Sequence, residues 1–95
     1  MDKGRIFRAL HEAPAPFIIP NPWDVGTARF LASLGFTALA TTSAGYAFSR
    51  GRPDGAIPFD DMIGHCREIV ASTDLPVSAD LEHGKGDSPD SAAET

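Results

Sequence analysis

Two carboxylates set two residues apart carry the strongest chemical signal in the chain. They are Asp80 and Glu82, in Pro76-Val77-Ser78-Ala79-Asp80-Leu81-Glu82-His83-Gly84-Lys85-Gly86. The segment starts as a short apolar run after a proline, which reads as a buried strand. Side chains at i and i+2 of a strand share a face, so both acids are expected on one side of its C-terminal end, just before a Gly-x-Gly turn. Like charges that close repel, and placing them beside a sheet core adds a desolvation cost. A hard divalent cation such as Mg²⁺ relieves both penalties, because it takes oxygen ligands and keeps several waters. The plainer alternative is a solvated strand end whose acids face water or pair with Arg and Lys, as in ordinary ion-pair networks.

Ser43-Ala44-Gly45 is a second candidate. It offers a hydroxyl and backbone N–H groups that small side chains leave approachable, which suits a carboxylate or phosphonate oxygen. The same residues also make a simple strand-ending turn. No Gly-Lys-Ser/Thr follows and no G-x-G-x-x-G is present, so this is neither a P-loop nor a dinucleotide fingerprint. Asp54, in Gly51-Arg52-Pro53-Asp54-Gly55, reads from its own neighbours as a turn residue. Asp24 reads as a helix cap and Trp23 as a half-buried anchor. Cys66 is expected as a small core residue on the inner stripe of a helix, with His65 beside it on a polar, solvent-facing side. His11 falls at a helix end, and His83 is a loop histidine adjoining both acids.

These groups act together only if the fold gathers them. Asp2 to His11 reads as a short helix with Ile6, Phe7 and Leu10 on one face, broken by Ala13-Pro14-Ala15-Pro16. Phe17-Ile18-Ile19, closed by Pro20-Asn21-Pro22, reads as a parallel strand buried on both faces. Asp24 starts a helix with a stripe of Ala28, Leu31 and Leu34, and Gly35 stands as its left-handed C′ residue. A second strand centres on Ala38 to Thr42, completing a unit of βαβ size. Ser43 through Pro58, with Gly45, Gly51, Pro53, Gly55 and Pro58, reads as a long loop that is neither helix nor strand. Loops of that length in compact units are commonly functional. Asp60 or Asp61 is expected to cap a helix with the stripe Met62, Ile63, Cys66, Ile69 and Val70. Thr73-Asp74-Leu75-Pro76 ends it and opens the third strand. Asp87-Ser88-Pro89-Asp90 starts another helix with proline in its first turn. In parallel α/β folds the strands' C-terminal loops share one face, where ligands bind. The stretches Pro20–Asp24, Thr42–Gly45 and Asp80–Glu82 all fall there.

Composition narrows the function classes. The 95 residues suffice for one small domain, and 42% hydrophobic with 22% charged content is ordinary for a globular protein. A net charge of -5 without a basic run argues against nucleic acid and anionic membrane as partners. No apolar stretch has membrane-spanning length, and the first residues lack the apolar run of a secretory signal, so a cytoplasmic location is expected. The single cysteine, Cys66, excludes an intrachain disulfide and any CxxC motif. Three parallel strands with crossover helices need cover and neighbours, so the chain reads as the opening portion of a larger α/β protein.

Taken together, Asn21-Pro22-Trp23-Asp24, Thr41-Thr42-Ser43-Ala44-Gly45, Gly51-Arg52-Pro53-Asp54-Gly55 and Ser78-Ala79-Asp80-Leu81-Glu82-His83-Gly84 resemble the isocitrate lyase/phosphoenolpyruvate mutase superfamily in order and spacing. The likeness runs over almost the whole chain. It implies an α/β fold, the N-terminal part of a (β/α)8 TIM barrel with an N-terminal helix, three parallel strands, two helices and the start of a third. It also implies Mg²⁺ or Mn²⁺ at the strands' C-terminal ends, holding a 2-oxo acid or its enolate while a neighbouring C–C or P–C bond is made or broken. By this resemblance Asp80 is the principal metal carboxylate, and Glu82 its companion acting through metal-bound water. Ser43, Ala44 and Gly45 would bind the carboxylate or phosphonate of a small substrate, and Asp54 would be the aspartate of a loop that closes over the site. Full-length members are expected to be homo-oligomers. Lys85 departs from the pattern, since the family usually carries an aromatic residue there. The later acidic strand end, the Lys-Cys type loop and a substrate arginine are not in this sequence, so the chain alone is expected to lack turnover. Two rivals stand beside this reading. One is a non-catalytic remnant or half-barrel completed by another chain, and the other is a flavodoxin-like module with its anion site at Ser43–Gly45.

Overall fold

In the computed structural model, which describes residues 2–95, two helices precede a first short strand, two more lead to a second, and a fifth follows it. Helix α1 (Lys3–Glu12) starts at Asp2, whose carboxylate accepts the N–H of Gly4 at 2.9 Å. Helix α2 (Val25–Ser33) opens on a reciprocal cap: Asp24 accepts the Thr27 amide at 2.8 Å, and the Thr27 hydroxyl accepts the Asp24 amide at 3.1 Å. The Thr27 hydroxyl and amide hold the Asp24 carboxyl below the usual carboxylate range. Gly35 ends the helix with φ +97°, the left-handed conformation its lack of a Cβ permits. Ala28 and Leu31 of the expected stripe reach the core. Leu34 is instead the C-cap, where the chain turns away, and it stays 60% exposed.

Strands β1 (Leu39–Ala40) and β2 (Val77–Ser78) pair in parallel, Leu39 opposite Val77 and Ala40 opposite Ser78. Ala28, Leu39 and Ile69 are fully buried at the centre, with Leu31, Leu75 and Val77 packed against them. Phe17-Ile18-Ile19 does not join the ladder as a third strand. Ala40 donates its N–H to the Pro20 carbonyl at 3.0 Å, and the Asn21 side-chain amide reaches the Ala40 carbonyl at 2.9 Å. Pro20 and Pro22 have no N–H with which to extend that pairing. Ile18 faces outward, 72% exposed, so burial on both faces does not hold.

The stretch from Ser43 to Pro58 is also not loop throughout. Its first half is helix α3 (Ser43–Ser49), with Thr42 as N-cap accepting the Gly45 N–H at 3.1 Å. Gly45 is there for space and not to break the helix: a β-carbon would overlap the Trp23 indole and the Thr42 methyl. Helix α4 (Phe59–Ser72) begins at Pro58 without a side-chain cap, and Asp60 and Asp61 lie in its first turn, where negative charge suits the helix dipole. Its buried positions are Met62, His65 and Ile69. The buried stripe is thus rotated from the expected one, taking His65 inward and leaving Val70 43% exposed.

Strand β2 stops at Ser78, and Glu82 adopts φ +53° at the start of a turn. Strand alternation therefore does not reach the second acid. Helix α5 (Pro89–Glu94) has proline at its start and Ser88 as N-cap, as the sequence indicates. Lys85 lies 3.7 Å from Glu94 and over the Phe59 ring at 6.0 Å. No helix among the described residues is long and apolar enough to cross a membrane.

Candidate functional site

Parallel pairing brings the C-terminal exits of β1 and β2 side by side, which sets the end of β1 and the start of α3 against Asp80. The Asp80 backbone is fixed first. Its N–H donates at 2.8 Å to the hydroxyl of Thr41, a residue only 4% exposed. One Asp80 oxygen, Oδ1, then accepts the Glu82 N–H at 3.1 Å, closing a local Asx turn. The other, Oδ2, faces Ser43, with the amide nitrogen at 3.4 Å and the hydroxyl at 3.2 Å. The same Ser43 hydroxyl lies 3.1 Å from Oδ1 of Asp54, brought in by the chain between α3 and α4.

Ser43, Asp54 and Asp80 thus meet from three separate segments. A hydroxyl has one hydrogen, so Ser43 donates to one carboxylate at a time and leaves the other oxygen facing its lone pairs. The result is exposed negative charge on hard oxygen donors with only long contacts to neutralise it. Such a donor set fits a hard divalent cation, which needs one or two carboxylates and completes its shell with water or substrate oxygens. Among the described residues no group of three or more His, Cys, Asp and Glu side chains clusters for a metal, so the protein's share of any cation shell here is small.

The remaining expected residues stand differently. Glu82 is not a strand partner of Asp80: it has φ +53°, its amide donates to Asp80, and the residue also borders a depression with Leu81, His83 and Ala92. Gly45 is buried, and its N–H is already taken by Thr42. Ala44 sits in the first turn of α3, where amides lack intrahelical acceptors.

His65 was not expected here. It is 6% exposed, stacks on Tyr46 with ring centroids 3.9 Å apart, and has no hydrogen-bond partner for Nε2. With Ser43, Cys66 and Asp80 it lines a narrow cleft. The spacing 62, 65, 69 is the signal that marks it as inward-facing. Burial pushes the His65 imidazole below its usual 6.5, with weaker opposing pulls from Glu68 and Asp24. Burial pushes the Cys66 thiol up, the Thr41 contact opposing and the Asp80 charge adding, which disfavours the thiolate a nucleophile would need.

The histidine shift has a sign. A lowered folded value means that the unfolded chain binds the proton more readily; stability is complete above about 6.5 and declines as pH falls through and below it. Urea melts between about pH 8 and about pH 5 should show that decline. His65→Asn should flatten it. A slope unchanged in His65→Asn would remove buried His65 as its source.

Comparison with known proteins places these features in context. The sequence profile of the family described as phosphoenolpyruvate phosphomutase matches residues 7–95. A 2-methylisocitrate lyase from Bacillus subtilis (strain 168) is 35% identical over 81 residues, covering 84% of this chain and 27% of the relative. A crystallised candidate lyase/mutase from Burkholderia cenocepacia J2315 is 63% identical, with a TM-score of 0.93 over 97% of this chain and 33% of its own. The trigonal crystal structure of 2,3-dimethylmalate lyase, a PEP mutase/isocitrate lyase superfamily member, is 35% identical with a TM-score of 0.79, over 97% of this chain and 31% of its own. The chain spans about a third of the length of the relatives it matches.

Proposed function

The chain belongs to the phosphoenolpyruvate phosphomutase family, and from that premise we propose that it supplies the cation-holding and carboxylate-binding part of a lyase or mutase. The reaction would make or break a C–C or P–C bond next to the carbonyl of a small 2-oxo acid, or cleave a 2-hydroxy polycarboxylate. The fold would be the N-terminal portion of a (β/α)8 barrel. The observation that supports this reading is the single Ser43 hydroxyl held between Asp54 and Asp80.

In this reading Asp80 would hold Mg²⁺ or Mn²⁺ directly and Glu82 would do so through water. The cation would supply Lewis-acid charge for a developing enolate oxygen. The chain's own residues do the rest. The free amide of Ala44 donates to a carboxylate or phosphonate oxygen, and the Ser43 hydroxyl does so when its one hydrogen turns away from Asp54 and Asp80, fixing the group's orientation before the bond breaks. Gly45 lets that turn pack tightly under Trp23. Asp54, on a segment with left-handed glycines at Gly51 and Gly55, tethers that segment to Ser43 and so covers the site from one side.

Titration with Mn²⁺, a paramagnetic stand-in for Mg²⁺ at carboxylate sites, tests the assignment by amide NMR. Ser43, Asp80 and Glu82 signals should broaden first, and Asp80→Asn should abolish that local effect. Equal broadening in Asp80→Asn, or broadening centred on Asp60 and Asp61, would sink it.

A further inference from the structure

We propose that Thr41 is a positioning residue for Asp80: its buried hydroxyl takes the place of a backbone acceptor and so sets the direction in which the Asp80 carboxylate leaves β2. In a parallel ladder, a residue that donates its N–H to one carbonyl on the neighbouring strand normally accepts, on its own carbonyl, the N–H two residues further along. Thr41 donates its N–H to the Ser78 carbonyl at 2.8 Å, the last ladder bond of the sheet. The N–H two residues beyond Ser78 belongs to Asp80, and it goes to Thr41 Oγ1 at 2.8 Å. The ladder therefore passes from backbone to side chain at the point where the strand ends. Thr41 grips the exit of β2 at two places, and the chain between them can turn Asp80 towards Ser43 without leaving its amide unpaired.

The hydroxyl is itself held from behind. Cys66 Sγ, on α4, lies 3.8 Å from Thr41 Oγ1, close enough for a weak S–H donor to engage its second lone pair. Because Thr41 is 4% exposed, water has little access with which to replace either contact. Asp80 in turn is exposed, and its carboxylate meets the Glu82 amide and Ser43. It reaches those partners from a backbone whose departure from β2 is set at Thr41. The importance of that direction for chemistry rests on the reading of Asp80 as the metal carboxylate; the positioning itself does not.

Amide hydrogen exchange on the full chain tests this in the unmodified protein and in Thr41→Val and Thr41→Ser. In the unmodified chain the Asp80 amide should be protected although its side chain is exposed. Free exchange there overturns the proposal without any variant. Thr41→Val keeps the shape and removes the acceptor, and should speed Asp80 exchange on the order of tenfold or more relative to Leu39 and Ile69. It should also shift the Ser43 amide resonance. Thr41→Ser should restore both. Exchange at Asp80 that rises only in step with Leu39 and Ile69, or a serine variant that behaves like valine, would reduce Thr41 to an ordinary core residue and overturn the assignment. Mn²⁺ added to the same samples separates the two readings. A midpoint for broadening at Asp80 raised roughly tenfold in Thr41→Val supports both. Absence of any Mn²⁺ effect in the unmodified chain, with the exchange pattern intact, removes the metal reading and leaves the positioning role standing.

Discussion

Truncating Leu39 to alanine is expected to lower the unfolding free energy by about 2–5 kcal/mol. Leu39 has no exposed surface and sits on β1 between Ala28 of α2 and Ile69 of α4. The other fully buried member from α2 is only an alanine, so no large neighbour can slide into the space. A chain of 95 residues has a total stability of roughly 5–15 kcal/mol, and the loss is a large part of it. Urea denaturation followed by circular dichroism should show the midpoint collapse, with Leu34→Ala, at a 60% exposed position, as the contrast. A loss at Leu39 below about 1 kcal/mol would mean that the core is elsewhere.

Gly45→Ala is expected to destabilise by about 1–3 kcal/mol, against the usual preference of helices for alanine. In an exposed helix interior that exchange gains up to about 1 kcal/mol. Here the new methyl would run into the indole of Trp23 and the Thr42 methyl, both within the tightest packing at the α3 start. Trp23 also meets Phe48 edge-on at 6.2 Å, and both rings keep a solvent-facing side. Since Trp23 is the chain's one tryptophan, its fluorescence reports the displacement directly. A variant as stable as the parent, with unchanged emission, would show that the indole yields freely and that Gly45 has no spatial role.

Much of the frame follows from local chemistry that a sequence displays. Asp24 and Gly35 bracket α2 because a cap and a left-handed glycine are properties of single residues. The meeting of the β1 and β2 exits follows from parallel pairing alone. What was not legible depended on distant partners. Gly45 looks like a helix breaker until Trp23 is seen pressed against it. His65 looks polar and outward until α4 is rotated by its real packing, which stacks the ring on Tyr46. Phe17-Ile18-Ile19 has the composition of a central strand, yet the prolines that follow it withhold the amides a ladder requires. The expectation that Asp80 and Glu82 leave one strand face fails for a different reason: side-chain alternation holds only while the backbone stays extended, and the positive φ of Glu82 ends that before the second carboxylate. Asp54 comes into view as a site residue through family resemblance alone, because its own neighbours describe only a turn, and Thr41 reads only as a strand residue within the family-like run Thr41–Gly45. It takes the three-dimensional contact at 3.1 Å to bring Asp54 to Ser43.

Among the described residues β2 has a neighbour on one side only, β1. The opposite margin offers the N–H and carbonyl of Val77, because those of Ser78 are turned to β1, where the Ser78 carbonyl takes the Thr41 N–H. A parallel newcomer bonded to Val77 would run in the direction of β2 and finish level with Asp80. An antiparallel newcomer would bring its beginning there instead. The direction of an added strand thus decides which of its ends stands beside Asp80.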